Sequence, residues 1–312
     1  MVFLTPGRGH ERARRRGRAP FSERGLGSVL AMVALLAGFA ALGLLESEPP
    51  RPEPGMLQSA PRPPQTSQTG AAPTLTPSRP RRRGAVPTPA GLRAARRYAR
   101  RREGAVSFAV VDTRGRMHGR RADRPFPAAS LVKAMIMVAY LDRLERRGEP
   151  LTSWGRGRLE AMIRRSDNAA ASDLFGLVGA EGLARVARRA RMKRFVASPV
   201  WGSSTVTARD QARFFRAVPR LIDSTRRREA RRLLATVVPA QRWGIPRAAG
   251  RRWRVLAKAG WRPSAGGWLV NQAARLERGS RALSIAVLTD GSPSHAYGTE
   301  TVQGIATRLQ ER

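Results

Sequence analysis

The chain has 312 residues, 41% of them hydrophobic, no cysteine, and 59 basic against 22 acidic side chains, for a formal net charge of +37. The lack of cysteine excludes a disulfide scaffold and thiolate metal sites, and His10, His118 and His295 are too scattered for ligand spacing, so no metal or other cofactor is expected. A surface this basic attracts anionic polymers, but the arginines are spread through every segment without a recognisable nucleic-acid module, so composition bias is the favoured reading and nucleic acid is not an expected partner.

The first 90 residues do not read as globular. Gly25 to Leu45 is 21 residues without a charge, about 32 Å as a helix and enough to cross a bilayer. Seven arginines precede it and Glu46 and Glu48 follow it, which orients the N-terminus to the cytoplasm and the rest outside. A cleaved signal peptide usually has a shorter apolar core, so an uncleaved anchor is favoured, although Ala40-Ala41 leaves cleavage open. Residues 46–90 hold 12 prolines and no apolar run, a polyproline-biased tether with a reach of about 140 Å. The expected organisation is a basic cytoplasmic tail (1–24), a signal anchor (25–45), a Pro-rich linker (46–90) and an extracytoplasmic head (91–312). Arg81-Arg82-Arg83 closes the linker; a solvated charge run is favoured over contact with lipid or anionic wall polymers.

In the head, 46 basic residues stand against 17 acidic ones, +29. Ala94 to Arg102 reads as a basic helix, Val106 to Asp112 as a strand, Thr113 to Arg116 as a turn, with a second strand near Met117. Residues 130 to about 236 read as helical, with caps at Ser153, Asp173 and Thr205. Strands follow around Val255–Lys258, Trp268–Leu276 and Leu283–Thr289, and Thr299 to Leu309 closes the chain as a helix. Strands first and last with helices between predict an α/β (α+β) head, its antiparallel sheet joining both ends and flanked by helices, plus a helical lobe.

The chemistry concentrates at Ser130-Leu131-Val132-Lys133. From Leu131 to Leu141 every residue except Lys133 is apolar or Tyr, so Ser130 opens a buried helix and Lys133 lies one turn on, on the same face. A lone buried ammonium costs several kcal/mol, roughly, unless it is paired or loses its proton; a lysine drawn toward neutrality can take the serine proton. Only three of the 59 basic residues are lysines, Lys133, Lys193 and Lys258, and arginine cannot act as a base. A chain that otherwise writes Arg keeps Lys where deprotonation matters. Downstream come Ser166-Asp167-Asn168, which alone reads equally well as a helix cap, and Lys258-Ala259-Gly260.

The ordered set S-x-x-K, S-D-N, K-x-G resembles the signature of class A β-lactamases and related penicillin-recognising serine enzymes. The likeness runs from about residue 104 to the C-terminus and implies the β-lactamase/transpeptidase fold. It implies Ser130 as nucleophile, Lys133 as its base, and Ser166 and Lys258 as proton donors to the leaving nitrogen and holders of the substrate carboxylate. Asn168 would touch the substrate amide or brace Lys133, and the N–H groups of Ser130 and Trp261, the latter following Gly260, would form the oxyanion hole. Trp261 and Trp268 serve equally as cleft walls or core aromatics, and His295 reads as a loop residue.

Three departures matter. The family's deacylating Glu has no counterpart between Arg191 and Arg213, where Asp210 is the only acid; Glu181 comes too early, at another helix start. Ala259 replaces a hydroxyl residue, removing a bond to a substrate carboxylate worth about 1.5–3 kcal/mol. Only 36 residues separate Ser130 from Ser166, so the lobe is trimmed. The expectation is a membrane-anchored serine hydrolase acylated on Ser130 by β-lactams or cell-wall peptide amides. The alternatives are a D-Ala-D-Ala carboxypeptidase-type peptidoglycan enzyme and a deacylation-deficient module that binds wall or β-lactam.

Overall fold

The computed structural model describes residues 86–311. The basic tail, the anchor expected over 25–45 and the linker up to residue 85 lie outside the described residues; no helix among those described is long and apolar enough to cross a membrane.

Residues on the linker side of the expected boundary at 91 pack with the head. Val86 exchanges hydrogen bonds with Thr113, its N–H to Oγ1 at 3.2 Å and its carbonyl from the Thr113 N–H at 3.1 Å. Thr88 caps helix α1 (Pro89–Arg100), accepting from Gly91 N. Pro89 at its first position is pre-set for a helical φ; the prolines that marked the segment as linker therefore also start a helix.

The five strands of the main sheet are β1 (Ala105–Val111), β2 (Met117–Arg120), β5 (Arg254–Ser264), β6 (Gly267–Arg278) and β7 (Arg281–Ser292), ordered β2-β1-β7-β6-β5 and antiparallel where paired. The last three run 11 or 12 residues, longer than their apolar runs, because hairpin pairing carries the ladder through polar ends. Pro263 lies within β5, opposite Trp268, and is tolerated because β5 is an edge strand that asks for no donor on its outer side.

Alternation along the strands divides the core. Phe108 and Val110 pack with α1, α7 (Ile245–Ala249) and α8 (His295–Gln310); Ala109 and Val111 face the helical lobe. Small residues on that second face (Ala109, Ala273, Ala286) let α5 (Ala208–Leu221) lie close, and Ser284 Oγ donates to the Ala212 carbonyl at 2.7 Å. At the centre of the lobe α2 (Lys133–Arg146) is buried from Lys133 through Asp142, with α3 (Ser153–Glu160), α4 (Asn168–Arg189) and α6 (Ser224–Ala235) beside it.

Several sequence expectations are corrected. The first helix spans 89–100 rather than 94–102. The cap of α3 is Thr152 rather than Ser153. Asp173 lies inside α4, whose cap is Asp167 accepting from Ala170 N. Thr205 belongs to a short strand, β4 (Thr205–Thr207), paired with β3 (Pro125–Pro127), and the cap of α5 is Thr207. The lobe is thus not continuously helical: residues 190–204 form a connection holding one 3-10 turn, Trp201–Ser203. α8 starts at His295, capped by Ser294, so His295 is helical rather than a loop residue; the Gly and Pro before it concealed the start.

Candidate active site

Ser130 sits in a 3-10 turn, Ala129–Val132, that feeds directly into α2. Ala129, just before it, has φ 46, and Ser166 across the cleft has φ 62. A non-glycine residue in that region stores on the order of 1–3 kcal/mol and persists only where its surroundings impose it. The strain at Ala129 is held by the Ala128 N–H bond to the Ser204 carbonyl, 2.8 Å, and by Asn271, whose Nδ2 donates to the Pro127 carbonyl at 2.8 Å.

Ser166 follows a π turn, Ala161–Arg165, pinned from outside by Gln241 Nε2 on the Arg165 carbonyl and Arg164 Nε on the Thr236 carbonyl. Asp167 then caps α4. The cap reading and the site reading of Ser166-Asp167-Asn168 are therefore both true of different side chains. The left-handed Ser166 turns its carbonyl and its hydroxyl toward Lys133, and Asn168, in the first turn of α4, adds its amide oxygen.

Lys133 Nζ donates to the Ser166 carbonyl at 2.5 Å, to Asn168 Oδ1 at 2.6 Å and to Ser166 Oγ at 3.4 Å. Lys258 Nζ, from β5, donates to the same Ser166 Oγ at 3.0 Å and to the Ala259 carbonyl at 2.9 Å. One serine hydroxyl thus stands between two lysines, both with essentially no exposed surface. Burial pushes Lys133 down to about 8, against the pull of Asp167. Burial and the neighbouring Lys133 charge push Lys258 down to about 7. Each lysine is therefore within reach of losing its proton near neutral pH.

Gly260 explains how β5 approaches the nucleophile. A Cβ there would stand 2.5 Å from Leu131 N and 2.7 Å from Ser130 N, so no larger residue fits. By the pleat, Arg262 shares the face of Lys258 and Gly260, while Ala259 and Trp261 face the other way. The Trp261 indole packs on Trp243 (5.8 Å) and His295 (5.5 Å). Trp268 joins the same cluster, 5.6 Å from His295; it is a packing aromatic, whereas Trp261 both packs in this cluster and lines the cleft. Burial lowers the His295 pKa, favouring a neutral ring.

The cleft, about 270 Å³, is lined by Ser130, Asn168, Trp261 and also by Val200, Trp201 and Arg262. Sequence reasoning missed these last three. The Trp201 ring lies over Lys133 Nζ at 4.9 Å, and its Nε1 donates to Ser172 Oγ at 3.2 Å. Three flanking residues, Val200-Trp201-Gly202, gave no periodic signal. Asp210, the one acid between 191 and 213, points away: it accepts from the N–H groups of Lys193 and Arg194 and pairs with Arg213. Glu181 lies on α4 just past Gly179, where the helix kinks (φ 62), and pairs with Arg185. Among the described residues no group of three or more His, Cys, Asp or Glu could hold a metal ion.

A family model described as "Beta-lactamase enzyme family" matches residues 156–312, which include Ser166, Asn168, Lys258 and Gly260. Solved β-lactamases share the fold. One from Sphaerobacter thermophilus aligns with TM-score 0.62 at 21% identity, over 70% of this chain and 95% of its own. One from Xanthomonas campestris gives 0.61 at 20%, over 70% and 96%. An ancestral class A β-lactamase gives 0.60 at 20%, over 70% and 98%. No curated protein matches the chain.

Proposed function

The chain belongs to the β-lactamase enzyme family, and from that premise we propose that Ser130 forms an acyl-enzyme with β-lactams or related cell-wall peptide amides. The observation that carries the proposal is the Lys133–Ser166–Lys258 chain: two buried lysines bonded to one hydroxyl, with Lys133 three residues on from Ser130. Ser130 Oγ adds to the carbonyl carbon as its proton passes to Lys133; the C–N bond then breaks, and Ser166, held by both lysines, delivers its proton to the departing nitrogen and recovers one from the Lys133 ammonium just formed. The N–H groups of Ser130 and Trp261 receive the developing oxyanion, an assignment supported by the tight Gly260 approach.

Lys133 rests with three acceptors around Nζ, the arrangement of an ammonium, so it deprotonates before or as substrate docks. Its resting bonds go to Ser166 and Asn168 rather than to Ser130, which does not disqualify it, since catalytic hydrogen bonds tighten in the complex. Arg262 takes the substrate carboxylate, replacing the hydroxyl that Ala259 lacks; its guanidinium can bind a carboxylate through two parallel bonds. The head acts outside the cytoplasm, tethered through residues 46–85 to an anchor at 25–45, where wall polymers are within reach.

Turnover is the second question. No acid faces Lys133 from the 190–204 connection, and the Trp201 ring covers the ammonium instead. This favours a long-lived acyl-enzyme, hence a peptidoglycan-type or β-lactam-binding role over fast β-lactam hydrolysis. A fluorescent penicillin tests both readings: it should label the wild type, persist after dilution, and leave Ser130→Ala unlabelled. Labelling retained by Ser130→Ala overturns the nucleophile; labelling lost within seconds overturns the slow deacylation.

A further inference from the structure

Away from the acyl cleft, a cavity of about 710 Å³ opens between the end of α4 and one face of α5. It shares no lining residue with the cleft at Ser130. Five guanidinium groups surround it: Arg189 and Arg191 from the end of α4 and just beyond, and Arg213, Arg216 and Arg220 from α5. The last three stand at i, i+3 and i+7, one helical face. The remaining lining is largely apolar and includes Met117 at the start of β2.

Two of the five are already neutralised, Arg189 by Asp142 and Arg213 by Asp210. The side chains of Arg191, Arg216 and Arg220 make no hydrogen bond or ion pair among the described residues. The nearby carboxylate of Asp112 is taken by Arg116 and His118. Burial, together with the like charges of Arg275 and Arg220, pushes the Arg216 pKa below its ordinary value. The cavity therefore gathers like charges that the protein offsets only in part, through the Asp112 field on Arg216, and that an added anion would compensate further.

We propose that this cavity is a binding site for a small phosphate-bearing ligand. Concave surfaces lined by one sign of charge focus the field and concentrate counter-ions. Guanidinium forks match phosphate oxygens through paired bonds. The apolar part of the lining accommodates the body of a headgroup-sized molecule. Two sources share this chemistry, free phosphate and an anionic lipid headgroup.

The test is thermal unfolding of the full chain titrated with inorganic phosphate against chloride at equal ionic strength, since a ligand that binds only the folded state raises the midpoint. The wild type should rise with phosphate. Arg216→Gln/Arg220→Gln should weaken the apparent affinity tenfold or more. Arg251→Gln/Arg252→Gln, which removes two exposed charges elsewhere, should change it less than twofold. Arg220→Gln alone, at an exposed position, should weaken affinity at least threefold and guards against misfolding of the double variant. No rise in the wild type, or equal losses in the two double variants, overturns the proposal. A soluble short-chain phosphatidylglycerol forms the second arm. Binding tenfold tighter than phosphate and dependent on Arg216 and Arg220 identifies a lipid headgroup; equal or weaker binding identifies free phosphate.

Discussion

Replacing Lys258 with Met separates what that lysine does for chemistry from what it does to stability. The side chain is 1% exposed, and its pKa is lowered from 10.5 to about 7. Between those values the unfolded chain keeps the proton and the folded chain releases it, so stability rises with pH across that window and the full penalty is present below pH 7. At about 1.4 kcal/mol per pH unit, the charged form costs on the order of 5 kcal/mol at pH 6 and about 2 kcal/mol at pH 9. Methionine has a similar length and no charge to desolvate. It forfeits the bonds to Ser166 and to the Ala259 carbonyl, worth about 1 kcal/mol each. Lys258→Met should therefore be more stable than the wild type at pH 6 by several kcal/mol. Its advantage should shrink by about 3 kcal/mol by pH 9. Acylation should be lost at both pH values. Urea unfolding followed by tryptophan fluorescence at pH 6 and pH 9 reads the difference. Parallel pH profiles for variant and wild type would show that Lys258 does not change protonation in this range, and the reasoning from burial would fall.

The remaining expectations concern rates. Lys133→Arg keeps the charge but removes the base, so acylation should drop by on the order of 10²-fold or more with folding retained, whereas Lys193→Arg, at an exposed position, should match the wild type; equal rates in both would remove Lys133 from the mechanism. Because Lys133 titrates near 8 and only its neutral form accepts a proton, the acylation rate should climb about tenfold from pH 6 to pH 7 in rapid-mixing experiments; a flat profile contradicts the base assignment. Arg262→Ala should lower acylation efficiency by about 10–100-fold, the equivalent of a charge-assisted bond of about 1.5–3 kcal/mol, for substrates bearing a carboxylate and not for their methyl esters.

Much of this is legible in the sequence, for identifiable reasons. The scarcity of lysine singled out Lys133 and Lys258, and both lie buried on Ser166. The apolar run after Ser130 declared a core helix, and strands at both ends of the head declared one antiparallel sheet. What was not legible came from packing between distant segments. Trp201 faces Lys133 only because β3 and β4 pair and draw the 190–204 connection over the cleft. Asn271 and Gln241 hold the Ser130 turn and the Ser166 turn through backbone carbonyls, a role with no local pattern. Thr152 and Thr207 were displaced as caps by neighbouring Ser153 and Thr205 because capping preference tolerates a shift of one or two residues. Ser166-Asp167-Asn168 reads as cap or as site, and both hold: Asp167 caps and its neighbours face the lysines.

The most direct test of the central claim is the intact mass of the protein after incubation with a series of β-lactams. The account predicts a gain of one whole β-lactam on the wild type, persisting for minutes or longer, and no gain on Ser130→Ala. A wild type that stays unmodified by every β-lactam, or a Ser130→Ala variant that gains the same mass, would contradict it.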